Sequence, residues 1–99
     1  MILALDVGNT NITCGVFDGD TIKTSFRITT KMPRTSDEYG MLLVNLLEQN
    51  DIHCQEIEDA IIASVVPNVM HSLEGAVIKY LNIQPIVIEP GTKDRKSVV

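Results

Sequence analysis

The sequence predicts an α/β fold with the element order βββ-α-β-α-β. Three observations point to it. The first thirty residues hold three apolar or alternating stretches joined by tight polar connections. Two later segments repeat their apolar residues at helical spacing, and the runs Ile61–Val66 and Ile86–Ile88 are short and rich in β-branched residues. A chain of 99 residues with 44% apolar content suits one small domain with a modest core.

Ile2 to Leu5 is continuously apolar, the pattern of a strand buried on both faces. It gives way to the polar turn Asp6-Val7-Gly8-Asn9-Thr10, after which Ile12, Cys14 and Val16 alternate with small or polar residues as far as Phe17. Asp18-Gly19-Asp20 is a hairpin signal, because Asp-Gly tolerates the positive φ such turns need. Thr21 to Thr29 forms the third strand, with Ile22, Phe26 and Ile28 expected on one face. Beyond the break Lys31 to Arg34, Thr35-Ser36-Asp37-Glu38 fits a capping box. Tyr39, Leu42, Leu43, Leu46 and Leu47 then define an amphipathic helix ending near Asn50. Ile61 to Val66 is the fourth strand, apolar enough to be central, and Pro67 ends it and starts a second helix. Val69, Met70, Leu73, Val77, Tyr80 and Leu81 mark the buried side of that helix. Ile86-Val87-Ile88 is the fifth strand, and the tail after Pro90-Gly91 is polar and without periodicity. Residues 1–90 are therefore the expected domain and 91–99 an irregular tail.

Thirteen acidic against eight basic residues give a net charge of −5, which argues against a general nucleic-acid binder. No apolar run approaches the roughly 20 residues of a membrane span. Met1 leads directly into the first strand with no basic segment before it, so no secretion signal is expected. Cys14 and Cys54 form no CxxC pair, which suits a reducing, cytoplasmic setting.

Chemistry concentrates at Asp6-Val7-Gly8-Asn9-Thr10. A carboxylate at the end of a strand is followed by a glycine, where backbone can approach a ligand. Asn9, Thr10 and the turn amides can then donate to phosphate oxygens. Asp6 can hold Mg²⁺ directly or through water, since a hard cation prefers oxygen ligands. Taken alone, the same residues also fit an ordinary strand-to-turn connection. Ser64-Val65-Val66-Pro67 is a second strand-to-helix junction, and it gains functional weight only if its strand lies beside the first. The other polar groups have plainer roles. Asp18 and Asp20 belong to a hairpin, Asp37 and Glu38 to a helix start, and Glu56, Glu58 and Asp59 to a solvated loop. His53 beside Cys54 is too small a ligand set for a metal, His71 is a surface residue, and Cys14 is a small core hydrophobe.

Asp6-Val7-Gly8-Asn9-Thr10, Gly15-Val16-Phe17, Arg27-Ile28-Thr29-Thr30, Thr35-Ser36-Asp37-Glu38-Tyr39-Gly40 and Ala63-Ser64-Val65-Val66-Pro67, in that order, resemble the type III pantothenate kinases, also known as the Bvg accessory factor family. The resemblance covers about residues 1 to 93. It implies a ribonuclease H-like half of the acetate/sugar kinase–Hsp70–actin fold. It also implies ATP-dependent phosphorylation of pantothenate to 4'-phosphopantothenate, the first step of coenzyme A biosynthesis. On this resemblance Asp6, Val7, Gly8, Asn9, Thr10, Asn11, Ile12 and Thr13 form the ATP phosphate loop, and Asp6 serves the Mg²⁺. A monovalent cation, K⁺ or NH₄⁺, and a homodimer with the pantothenate site at its interface are further implications.

Family members are longer and fold as two related domains with ATP between them. Their catalytic Asp lies in a Gly-Ala-Asp-Arg motif that this sequence lacks. Asp94-Arg95 has neither the Gly-Ala nor the spacing, so no catalytic residue is assigned. The chain is expected to be an incomplete N-terminal part, inactive alone, with one face of its sheet uncovered. The alternatives are a non-catalytic nucleotide-binding or interaction module and a superfamily kinase acting on a sugar or acetate.

Overall fold

The computed structural model describes residues 1–88; Pro90-Gly91, Asp94-Arg95 and the rest of the tail lie outside the described residues. Five strands form one mixed sheet: β1 (Ile2–Val7), β2 (Asn11–Asp18), β3 (Thr21–Thr29), β4 (Asp59–Ser64) and β5 (Ile86–Ile88), in the spatial order β3-β2-β1-β4-β5. β1, β2 and β3 make the antiparallel meander, while β4 lies parallel to β1 and β5 parallel to β4. Helices α1 (Ser36–Gln49) and α2 (Pro67–Ala76) supply the crossovers that parallel neighbours require. The element order expected from the sequence is the observed one.

Local chemistry sets the boundaries. Gly19 has φ 62° at the hairpin tip, the left-handed region that glycine enters without steric cost. The capping box of α1 is complete. The Glu38 amide donates to the Thr35 hydroxyl at 3.1 Å, and the Thr35 amide donates to Glu38 Oε1 at 2.8 Å. Pro67 occupies the first turn of α2, where its missing N–H leaves no helix bond unmade. β4 ends at Ser64, two residues before the end of its apolar run. There the buried Ser64 hydroxyl takes the Val66 backbone out of the ladder, accepting from its amide and donating to its carbonyl, each at 3.0 Å. The second helical segment continues past Ala76 as a π turn, Val77–Leu81, and stops at Asn82, whose φ of 59° is tolerated by Asn better than by most residues.

The core lies between one sheet face and the two helices. Strand pairing sets Leu5 between Cys14 and Ile62. These join Leu3, Val7 and Val16 with Tyr39, Leu43 and Leu47 of α1 and Met70, Leu73 and Ala76 of α2 in a single buried cluster. Alternation sends Ala4, Asp6, Gly15, Phe17, Ile61 and Ala63 to the other face, which no described element covers. β1 is thus central but closed on one face only among the described residues, not on both as its composition suggests. Ile22 is a second correction. The pairing shifts between Val16 and Phe17, leaving Lys23 without a partner, so Ile22 stands opposite Phe17 and is 60% exposed, while Ile28 stays on the helix side. Asp59 opens β4 and Glu56 sits in a 3₁₀ turn, Cys54–Glu56, so neither belongs to a plain loop. Among the described residues, no helix is long and apolar enough to cross a membrane.

Candidate functional site

Because β1 and β4 run parallel, both strand-to-loop junctions singled out in the sequence emerge at the same sheet edge. Their register is Asp6 opposite Ala63 and Val7 opposite Ser64, and the Val65 amide extends the ladder to the Val7 carbonyl at 3.3 Å. The C-terminal edge of parallel strands is where open α/β sheets place ligands.

At this edge β1 turns into β2 through Gly8, Asn9 and Thr10. The Gly8 amide donates to the Asn11 carbonyl at 2.9 Å and closes the turn. Gly8 has no positive φ, and a Cβ built on it would meet only the Asn11 carbonyl oxygen, at 3.4 Å. The fold itself therefore makes little demand for glycine here. What the missing side chain provides is uncovered backbone on the outer side of the turn.

The turn is held from β3. Thr30 donates its amide to the Thr10 carbonyl at 2.8 Å and its hydroxyl to the Asn9 carbonyl at 2.8 Å. Arg34 Nη1 in turn donates to the Thr29 carbonyl at 2.6 Å, and its guanidinium lies 5.9 Å from the Tyr39 ring centroid. The carbonyls of Asn9 and Thr10 are consumed by these bonds, whereas nothing among the described residues accepts from the amides of Asn9 and Thr10. Two free donors beside an uncovered glycine make a concavity suited to an anion. Thr29 and Thr30 were visible in the sequence only as part of a family-like motif. Their role as a clamp is a long-range pairing that no local pattern discloses.

Of the eight residues assigned to the loop, the structure brings Asp6, Gly8, Asn9, Thr10, Asn11 and Thr13 to the exposed side of this edge. Val7 and Ile12 point into the core, so only their backbone can face a ligand. Asp6 pairs with Thr13 across β1 and β2, on the open face. Its carboxylate has no hydrogen-bond or ion-pair partner among the described residues. Both residues border a shallow concavity of about 340 Å³ floored by Ala4, Gly15 and Ala63. No group of three or more His, Cys, Asp or Glu side chains suited to a metal occurs among the described residues. Asp6 would have to hold a cation together with oxygens from a ligand and water, the mode Mg²⁺ favours at phosphate sites.

The remaining candidates lie elsewhere. His53 belongs to the turn at the opposite end of β1, where its amide donates to Glu56 Oε2 at 2.9 Å and the Met1 amine donates to the Glu56 carbonyl at 2.9 Å. His71 is exposed on α2. Cys14 is fully buried, and burial pushes its thiol up to about 12, far from a reactive thiolate at neutral pH.

The family described as type III pantothenate kinase matches residues 2–97 of this chain. A type III pantothenate kinase of Agathobacter rectalis is 74% identical over 93 residues, which are 94% of this chain and 36% of that protein. One from Bifidobacterium longum is 47% identical over 98 residues, 99% of this chain and 38% of that protein. The chain therefore spans little more than a third of the length of the curated relatives it matches. Among solved structures, a ROK hexokinase from Thermus thermophilus superposes with a TM-score of 0.62 over 89% of this chain and 34% of its own, at 15% identity. That likeness speaks for the fold alone, the half-fold expected from the sequence.

Proposed function

Since the chain belongs to the type III pantothenate kinase family, we propose that residues 1–90 are the phosphate-binding domain of an ATP-dependent pantothenate kinase. One observation carries this reading. Among the described residues, a carboxylate without a partner, two amides without an acceptor and an uncovered glycine meet at the end of the central strand, where a polyphosphate and its cation need them. Phosphoryl transfer depends chiefly on positioning and on neutralising charge, and these groups do both. The amides of Asn9 and Thr10, with the side chains of Asn9, Thr10 and Asn11, hold phosphate oxygens; the backbone of Val7 and Ile12 shapes the turn; Thr13 borders it. Asp6 holds Mg²⁺, which supplies charge neutralisation on the phosphates when bound. The acceptor is the primary hydroxyl of pantothenate, and no residue of this chain is assigned to take its proton. A monovalent cation, K⁺ or NH₄⁺, a homodimer and a cytoplasmic setting complete the reading as family expectations.

The test is a chimera in which the matched residues of this chain replace their counterparts in the Agathobacter rectalis relative. Coupled detection of ADP release, with Mg²⁺ and K⁺ present, should show pantothenate-dependent turnover. Asp6→Asn should lower kcat/KM at least about 100-fold, the usual order for losing an electrostatic group at a transferring phosphoryl. A chimera inactive with pantothenate, or Asp6→Asn with wild-type turnover, would overturn the reading. The 99-residue chain alone is expected to show no pantothenate-dependent turnover.

A further inference from the structure

We infer that Arg27 of β3 is a polyphosphate-binding residue, taking phosphate oxygens on the flank of the site away from the cation held by Asp6. This rests on the reading above for its ligand and on strand register for its placement. Asp6 stands opposite Thr13 across β1 and β2, and Thr13 stands opposite Arg27 across β2 and β3, so the three share one row. The pairing shift at Val16/Phe17 lies nearer the hairpin and leaves this row in register. Phe26 and Ile28, on either side of Arg27, pack into the helix-side core, so alternation puts the exposed Arg27 on the open face with Asp6 and Thr13. Arg27 is two strand spacings, about 10 Å, from Asp6.

The two opposite charges form no ion pair with one another, and none of the three side chains has a hydrogen-bond partner among the described residues. A carboxylate and a guanidinium held apart across a hydroxyl suit a ligand that carries both signs. A metal-bound polyphosphate is such a ligand: its cation goes to Asp6 and its oxygens to Arg27, whose planar fork matches phosphate geometry. The turn alone leaves the ligand's charge poorly balanced, since its amides are neutral donors and Asp6 adds a negative charge. The other cationic side chains of the described residues are engaged or distant. Lys79 is bound to Asp37, and Arg34 donates to the Thr29 carbonyl. Lys31 lines a pocket of about 320 Å³ on the helix side, and Lys23 sits at the hairpin end of β3.

The experiment compares Arg27→Met, Arg27→Lys and, as a control on the same strand, Lys23→Met in the chimera. Titration calorimetry with Mg²⁺ and without pantothenate reads the affinity for ATP and for AMP, which lacks the outer phosphates. Arg27→Met should weaken ATP binding about 10- to 100-fold, the scale of a lost hydrogen bond to a charged group, and leave AMP binding unchanged. It should also flatten the dependence of ATP affinity on salt, a readout that a merely structural role would not move. Arg27→Lys keeps the charge and should retain most of the ATP affinity, and Lys23→Met should bind ATP like the parent. Parent-like ATP affinity in Arg27→Met, equal losses for ATP and AMP, or the same loss in Lys23→Met would overturn the inference and leave the kinase reading standing. A chimera that binds no ATP with its native Arg27 overturns both.

Discussion

Both faces of the sheet carry large apolar side chains, yet only one is closed among the described residues. On the helix side Leu3, Leu5, Ile12, Val16 and Ile62 are at most 1% exposed beneath α1 and α2. On the other side Ile2, Phe17, Ile22, Ile61, Ile86 and Ile88 touch only their neighbours in the sheet, with no helix over them among the described residues, and Ile86 is 58% exposed. The strands thus carry more apolar surface than their two helices cover. Folding free energy is concentrated in one face, while the open face bears Asp6 and the candidate site.

The largest expected effect follows directly. Leu43→Ala, on the covered face, should cost about 2–5 kcal/mol, the range for deleting a buried leucine that its neighbours cannot collapse around. Ile22→Thr, on the open face, should change stability by less than about 0.5 kcal/mol, as surface substitutions do. Urea unfolding of the two variants checks the contrast. Equal losses would mean that the open face is covered in solution.

Those faces also explain what the sequence disclosed. Periodicity located all five strands and both helices, because each is built from local signals: Asp18-Gly19 for the hairpin, the Thr35–Glu38 box for α1, Pro67 for α2. The turn after β1 was legible for the same reason, being one contiguous stretch. What escaped depends on pairing. The shift at Val16/Phe17 that turns Ile22 outward, and the bonds by which Thr30 consumes the carbonyls of the turn, join residues distant in sequence. Apolar composition of β1 suggested burial on both faces, since a strand's sequence records the apolar surface it offers and not which neighbours cover it. The π turn at Val77–Leu81 left no sign either, because its apolar spacing passes for that of an α-helix.

The next effect probes how the helix layer closes. Gly40 is buried in α1 under the Tyr80 ring, and a Cβ at that position would clash with three ring carbons, including the one attached to the side chain. The whole ring would have to move, which also breaks the bond from the Tyr80 hydroxyl to Asp37 at 2.9 Å. Gly40→Ala should therefore cost about 1–3 kcal/mol by overpacking, exceeding the roughly 0.5–1 kcal/mol that alanine returns inside a helix. An alanine variant as stable as the parent in urea would show that α1 and the π turn are less tightly joined than drawn. Ser64→Ala comes next, at about 1 kcal/mol for a buried hydroxyl that makes two hydrogen bonds.

The smallest effect is electrostatic and lies on the outer surface of the helix layer. Asp37 Oδ1 accepts from Lys79 Nζ at 2.8 Å and from the Tyr80 hydroxyl. The Lys79 hydrogen bond, then that of Tyr80, then the charge of Lys79 hold the Asp37 carboxyl below its usual range. A lowered carboxyl contributes stability above its unfolded pKa and loses it as pH falls through the folded value. Lys79 and Tyr80 are both raised, chiefly by their hydrogen bonds to Asp37, so their share is present below their unfolded values and is lost as pH rises through the folded ones. The link should hold between these limits and vanish at both ends. Asp37 also sits in the first turn of α1, where a negative charge favours the helix N-terminus on its own account. Lys79→Met separates the two contributions, because it removes the ion pair and keeps the carboxylate. Urea midpoints of parent and Lys79→Met should differ slightly at pH 7 in low salt, draw together as pH falls through the lowered Asp37 value, and converge at 1 M salt, since all three groups are solvated and readily screened. A difference unchanged by 1 M salt would assign the role of Lys79 to the packing of its aliphatic stem and not to its charge.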